Sequence, residues 1–269
     1  MSEMNTLSIQ KLLEEIRYDR GRYPHEALDE LIIHRNEAIP ELVKIVEQVQ
    51  DSPGFFTDTP ERFDHIYAVM LLSQFQAAEA FTPFLCTLQL PDDLAFSLYG
   101  DLLMNCGGRI VASLYSGMTI LEGDLASYPE LDAIFDLIHN TSVDELIRGI
   151  GFQAITSLVR QRKVSSDLIQ YYYHDLLQGD LDEESDILYS LLIDSCMELK
   201  FHELLDEITD ASPSKRGNIV ILNSSDAMEE DYFHFNNEIR LEKDQYRSIE
   251  NIHEELAGWF EAGIVSRKE

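Results

Sequence analysis

One helical pattern recurs along this chain, and the recurrence restricts its fold more than any other feature. Ala38-Ile39-Pro40-Glu41-Leu42-Val43-Lys44-Ile45-Val46 opens a unit whose second half is His65-Ile66-Tyr67-Ala68-Val69-Met70-Leu71-Leu72. Ala80-Phe81-Thr82-Pro83-Phe84-Leu85-Cys86-Thr87-Leu88 repeats the opening, and Pro129 to His139 repeats it again. Proline is tolerated in the first turn of a helix, where its missing N–H has no intrahelical partner. Pro40, Pro83 and Pro129 therefore read as markers of one structural event, spaced by 43 and 46 residues. That spacing fits the roughly 40–47 residue period of HEAT-type helix pairs.

Read in order, the chain is helical almost throughout. Residues 6–19 form an amphipathic helix that Thr6 can cap, with Leu7, Ile9, Leu12, Leu13 and Ile16 as its stripe. A second helix spans Pro24 to His34 and is broken near Asn36. Asp51-Ser52-Pro53-Gly54 is a turn, and Asp58-Thr59-Pro60-Glu61 starts the next helix. The helix from Pro91 meets Gly107-Gly108, which costs about 2 kcal/mol relative to alanine. Either the helix breaks there or another backbone packs closely against it. Gly149 and Gly151, inside the helix from Ser142 to Arg160, also indicate tight packing. Helices at 168–177, 182–199 and 202–208 complete about four helix pairs. The expected fold is all-α, a HEAT-like α-solenoid: a right-handed superhelix of antiparallel helix pairs over residues 1–211, with an N-terminal helical cap. Residues 212–269 are a C-terminal extension and irregular cap. It holds a short β-looking run at 218–222, an acidic loop at 226–231 and a final amphipathic helix at 245–260, read as covering the last repeat.

Composition narrows the function. Fifty acidic against 20 basic residues give a formal charge of −30. A nucleic-acid binder needs a basic face to neutralise phosphates, so no nucleic-acid partner is expected; a small local basic patch such as Arg160, Arg162 and Lys163 would work against the field of the rest. An anionic membrane surface is disfavoured for the same reason. No apolar run reaches the roughly 18–20 residues of a membrane span, and the N-terminus has no signal-peptide pattern. Cys86, Cys106 and Cys196 lie in apolar helical runs without CxxC spacing, which reads as buried thiols in a reducing, cytoplasmic compartment. No phosphate-cradling or nucleophile-elbow motif is present, and no cofactor is expected.

The blocks Gly100-Asp101, Gly108-Arg109-Ile110-Val111-Ala112-Ser113-Leu114 and Asp144-Glu145-Leu146-Ile147-Arg148 resemble a bacterial family known as a domain of unknown function with HEAT-like helices. Tyr23-Pro24, Ala38 to Leu42 and His65 to Ala68 extend the resemblance over roughly residues 10–178. Members often carry a C-terminal SEC-C zinc motif. This chain has no cysteine after Cys196, so that motif is absent, and residues 118–128 read as an insertion. The resemblance implies a fold and no activity.

Charge, repeat and missing catalytic motifs point to a non-catalytic scaffold whose acidic surface binds a protein partner, a basic one by charge. Candidate binding residues are Tyr171, Tyr172, His174, Asp101 and Arg109; one of Tyr171 to Tyr173 must face the core by helical geometry. The rival reading is a metal-dependent enzyme using histidine and carboxylate in the solenoid groove. His25-Glu26 and His202-Glu203 are its weak candidates, with His253-Glu254 beside them. Eight histidines in a chain this acidic give one or two such pairs by chance, and their unequal spacing does not follow a repeat, so no metal site is assigned. His234 beside Glu229, Glu230 and Asp231 reads as a solvated acidic loop.

Overall fold

The computed structural model describes residues 2–59, 61–116, 128–181, 185–211 and 246–261. The β-looking run at 218–222, the acidic loop, His234 and the acidic cluster at 182–184 lie outside the described residues. Within them the protein is all-α, and its extended pairing is the isolated antiparallel bridge Tyr18–Arg62. The helices are α1 (Ser2–Ile16), α2 (His25–Ile33), α3 (Arg35–Asp51), α4 (Gly54–Thr57), α5 (Asp64–Phe75), α6 (Phe81–Leu88), α7 (Leu94–Tyr99) and α8 (Asp101–Leu114). They continue as α9 (Pro129–His139), α10 (Glu145–Arg160), α11 (Ser166–Asp175), α12 (Asp186–Leu199), α13 (Leu205–Ala211) and α14 (Ile252–Glu261).

The chain divides into two compact units. The first takes residues up to 106, 110–116 and the segment from 248. Its centre is α5, where every residue except Gln74 is buried. α3 packs on α5 and α6 through Ala38, Leu42, Ile45, Val46 and Val49, while α1 lies against α2 and α3. Beside α5 an ion pair is buried: Arg62 Nε and Nη2 donate to the two Asp64 oxygens at 2.9 and 3.0 Å. The Arg62 guanidinium lies 4.4 and 4.2 Å from the ring centres of Phe55 and Phe56.

The second unit holds residues 107–109, the helices from α9 to α13, and Tyr246 and Arg247. α10 packs on both α9 and α12. Asp144 caps it, its carboxylate accepting from the Leu146 N–H at 2.8 Å. The close packing expected at the glycines is present. A Cβ on Gly149 would lie 2.3 Å from Leu191 Cδ1, and one on Gly151 2.5 Å from Ile138 Cγ1. The unit's buried polar chain runs Thr156 Oγ1–Ser195 Oγ at 2.5 Å and Ser195 Oγ–Tyr173 Oη at 2.8 Å.

Several sequence expectations are corrected. Pro40 is the sixth residue of α3 rather than a first-turn marker, so the Asn36 carbonyl loses the N–H it would otherwise receive. Asn36 lies inside α3; the break falls at His34, between the end of α2 at Ile33 and the start of α3 at Arg35. Thr6 lies inside α1, which starts at Ser2. The helix expected from Asp58 starts at Asp64, because Glu61 and Phe63 pair with the segment after α1: Asp19 N–H donates to Glu61 O at 2.7 Å and Phe63 N–H to Arg17 O at 2.9 Å. The 91–114 run breaks at Gly100, with φ 52° and ψ −137°, and passes unbroken through Gly107 and Gly108. The final helix starts at Ile252 and packs against α5 of the first unit.

Candidate functional site

The start of α2 and the start of α14 meet in the first unit. Pro24 precedes α2 and ends the turn after α1, which presents Tyr23 and His25 side by side. His25 and Asp29 are four residues apart, hence on one helix face, and His25 Nδ1 lies 2.9 Å from Asp29 Oδ2. α14 is anchored by its buried Ile252 and Leu256 and by the buried Ile249 just before it. Two backbone donors fix its entry: Ile249 N–H to Ser113 Oγ at 3.2 Å and Ile252 N–H to Gln74 Oε1 at 2.7 Å. His253 is thereby delivered to α2. Its Nδ1 is 3.0 Å from Tyr23 Oη and its Nε2 is 3.1 Å from Asp29 Oδ1. Its ring stacks on His25, centroids 4.1 Å apart and planes 8° from parallel.

Burial grades across the cluster. His25 and Asp29 keep 61% and 50% of their side chains exposed, and His253 only 18%. Burial lowers the pKa of His253, and the neighbouring His25 lowers it further against the opposing charge of Asp29. Burial and the Asp29 charge push the Tyr23 hydroxyl up, so it keeps its proton. The consistent arrangement is a neutral His253 that donates from Nε2–H to Asp29 and accepts at Nδ1 from Tyr23. Tyr67 lies edge-on to Tyr23 at 6.3 Å. His25 also lines a cleft of about 370 Å³ with Tyr18, Arg20, Arg22, Tyr23 and Tyr67. The cluster offers two imidazole nitrogens and one carboxylate, all within 4.8 Å of one another, a donor set suited to a divalent transition ion.

The sequence candidates distribute unevenly over the structure. His25 is in the cluster, but its carboxylate partner is Asp29, and Glu26 is an exposed first-turn residue outside the three-residue donor group. His202 and Glu203 sit exposed on a 3₁₀ turn of the second unit and do not join it. The His-x-x-x-Asp spacing at 25 and 29 was the available signal for Asp29; the arrival of His253 had none. On α11, Tyr171 is 69% exposed and Tyr173 is fully buried. Tyr172 stacks on Phe135 at 4.0 Å and meets His139 Nε2 at 3.1 Å through its hydroxyl. His174 lies between Asp175 and Glu207, at 3.4 and 3.6 Å. Asp101 is exposed at the start of α8, while Arg109 is buried and donates from Nε to the Arg247 carbonyl at 2.8 Å.

These features define an all-helical protein with a histidine–carboxylate cluster at the edge of its first unit. The chain belongs to the family described as "Protein of unknown function (DUF1186)", whose model matches residues 7–262. It is 26% identical over 205 residues to an uncharacterized protein of Chlamydia muridarum (strain MoPn / Nigg), covering 76% of this chain and 77% of that one. An uncharacterized protein of Chlamydia trachomatis serovar D is 25% identical over 206 residues, with 77% of each chain covered. No solved structure matches the chain. No described helix is long and apolar enough to cross a membrane.

Proposed function

We propose that this protein is a non-catalytic scaffold of HEAT-like helix pairs whose acidic surface binds a basic protein partner. The observation that carries the reading is the spacing of four helices read as the second members of successive pairs. α5, α8, α10 and α12 start at residues 64, 101, 145 and 186, spaced by 37, 44 and 41. One structural unit repeated at that interval is the logic of helical-repeat binding proteins, which offer extended surfaces rather than a single enclosed active site. The net charge of −30 selects among partners, since a surface of one sign accelerates encounter with the opposite sign. Exposed carboxylates of Asp92, Asp93, Asp101, Asp167, Asp186 and Asp194 contribute to that surface. Buried Cys106 and Cys196 fit the cytoplasm expected from the sequence.

The test is capture of partners on the immobilised full chain, with elution along a gradient from about 0.05 to 0.5 M NaCl, over which screening of exposed charges becomes nearly complete. A protein of basic pI released as salt rises supports the reading. Retention that salt does not change, or the absence of any retained basic protein, overturns the acidic-surface scaffold.

A further inference from the structure

We propose that His25, Asp29 and His253 form a binding site for one divalent first-row transition ion, with Tyr23 as the residue that orients His253. The argument starts from distance. A tetrahedral ion about 2.0–2.1 Å from each donor sets those donors about 3.4 Å apart. His253 Nε2 to Asp29 Oδ1 measures 3.1 Å, so one edge of a coordination shell is already near length, and His25 Nδ1 lies 2.9 Å from the other oxygen of the same carboxylate, within reach of that ion once its ring turns. A hydrogen-bonded carboxylate between two neutral imidazoles becomes a metal site when the ion takes the nitrogen lone pairs that face the carboxylate and each ring keeps its single proton on its other nitrogen.

The donor types choose the ion. Imidazole nitrogen with one carboxylate suits zinc, iron(II), cobalt(II) or nickel(II), whereas magnesium and calcium require oxygen shells. Three protein donors leave a coordination position for water or a small ligand, and His25 borders the cleft that carries Arg20 and Arg22.

The ring stack fixes how the ion is taken up. One ion cannot lie in the planes of two rings that are parallel and 4.1 Å apart. One ring turns, and it is His25, whose side chain is 61% exposed. His253 is 18% exposed and is held by Tyr23. With the ion on Nε2, the His253 proton sits on Nδ1 and donates to Tyr23 Oη, so that hydrogen bond reverses its direction. A partner on the second nitrogen of a ligating histidine fixes its tautomer and raises its affinity. Tyr23 is therefore a positioning residue.

The experiment titrates tag-free, chelator-stripped full-length protein with Co²⁺, read by its visible absorption, and with Zn²⁺, read by calorimetry. One ion binds per chain. His25→Gln and Asp29→Asn each weaken binding at least about tenfold, and Tyr23→Phe weakens it about tenfold, the loss expected when an outer partner of a ligand is removed. Glu26→Gln and His202→Gln bind as the parent does. Because His25 is mostly exposed, its replacement leaves the fold intact and keeps the test decisive. Parent protein that binds no more tightly than the His25→Gln variant, or equal losses from His202→Gln, overturns the site.

Discussion

Gly108 lies against the backbone of Gln153: a Cβ at position 108 would be 2.3 Å from Gln153 Cβ, 2.7 Å from its carbonyl carbon and 2.8 Å from Ala154 N. The obstacle is main chain, which cannot swing aside as a side-chain tip can. Alanine at 108 gains about 1 kcal/mol of helix propensity and loses about 3 kcal/mol to overpacking. Urea unfolding of Gly108→Ala should show a net loss of about 2 kcal/mol. Gly54→Ala is the comparison, since the nearest atom there is the Asp58 carboxylate at 3.8 Å. It should leave stability unchanged or raise it by about 0.5 kcal/mol.

The sequence was legible where a feature acts locally. Pro129 and the apolar spacing after it define α9 to the residue, and the paired glycines left two options of which close backbone packing is the one present. Misreadings came from distant partners. Asp58-Thr59-Pro60 carries a sound helix-start pattern, but the next residues are claimed by the segment after α1 through the Tyr18–Arg62 bridge. For the same reason the sequence offered His25 and His253 separately and did not join them to Asp29. Asp29 and His253 are 224 positions apart, and only the docking of α14 on α5 unites them. A repeat period speaks to neighbouring helices; it says nothing about a tail that returns to the first unit.

The Arg62–Asp64 pair is buried, with side chains 6% and 3% exposed. Removing one partner leaves the other charge in an apolar setting between Phe55, Phe56 and α5. Asp64→Ala should cost about 3–5 kcal/mol by thermal or urea unfolding. The double variant Arg62→Met with Asp64→Leu removes both charges and should recover most of that loss. A single variant that costs under about 1 kcal/mol would show that the pair is open to water.

His65 and His253 give the stability a pH dependence of one sign. Burial lowers the His65 pKa; its Nε2–H donates to Leu98 O at 2.7 Å, and its Nδ1 is buried with no hydrogen-bond partner among the described residues. Burial also lowers His253. Above the unfolded value of 6.5, native and unfolded forms are both neutral, and the stability is fully present. As pH falls from there toward the lower native value, the unfolded chain takes up protons that the native chain refuses. Stability is then lost at up to about 1.4 kcal/mol per pH unit for the buried His65, and by less for His253, which solvent screens. Urea midpoints measured from pH 7.5 to 5 should fall, and His65→Gln should flatten the slope. A slope unchanged by that variant would mean that His65 takes up protons equally in the native and unfolded states, and that its burial does not disfavour the charged form.

Tyr171 and Tyr173 are neighbours on α11 with opposite roles. Tyr173 is fully buried and ends the polar chain through Ser195 and Thr156. Tyr173→Phe keeps the ring and removes one buried hydrogen bond, a loss of about 1 kcal/mol. Tyr171 is 69% exposed, so Tyr171→Ala should change stability by less than about 0.5 kcal/mol. Exposed tyrosine combines a large rigid face with little rotamer entropy, which is why it recurs among the residues that dominate protein interfaces. If the scaffold engages its partner through α11, Tyr171→Ala weakens capture at least about tenfold while the unfolding midpoint stays put. Capture that survives this substitution moves the interface to another element, and the charge variants at Asp92, Asp93 and Asp101 then locate it by the salt dependence they remove.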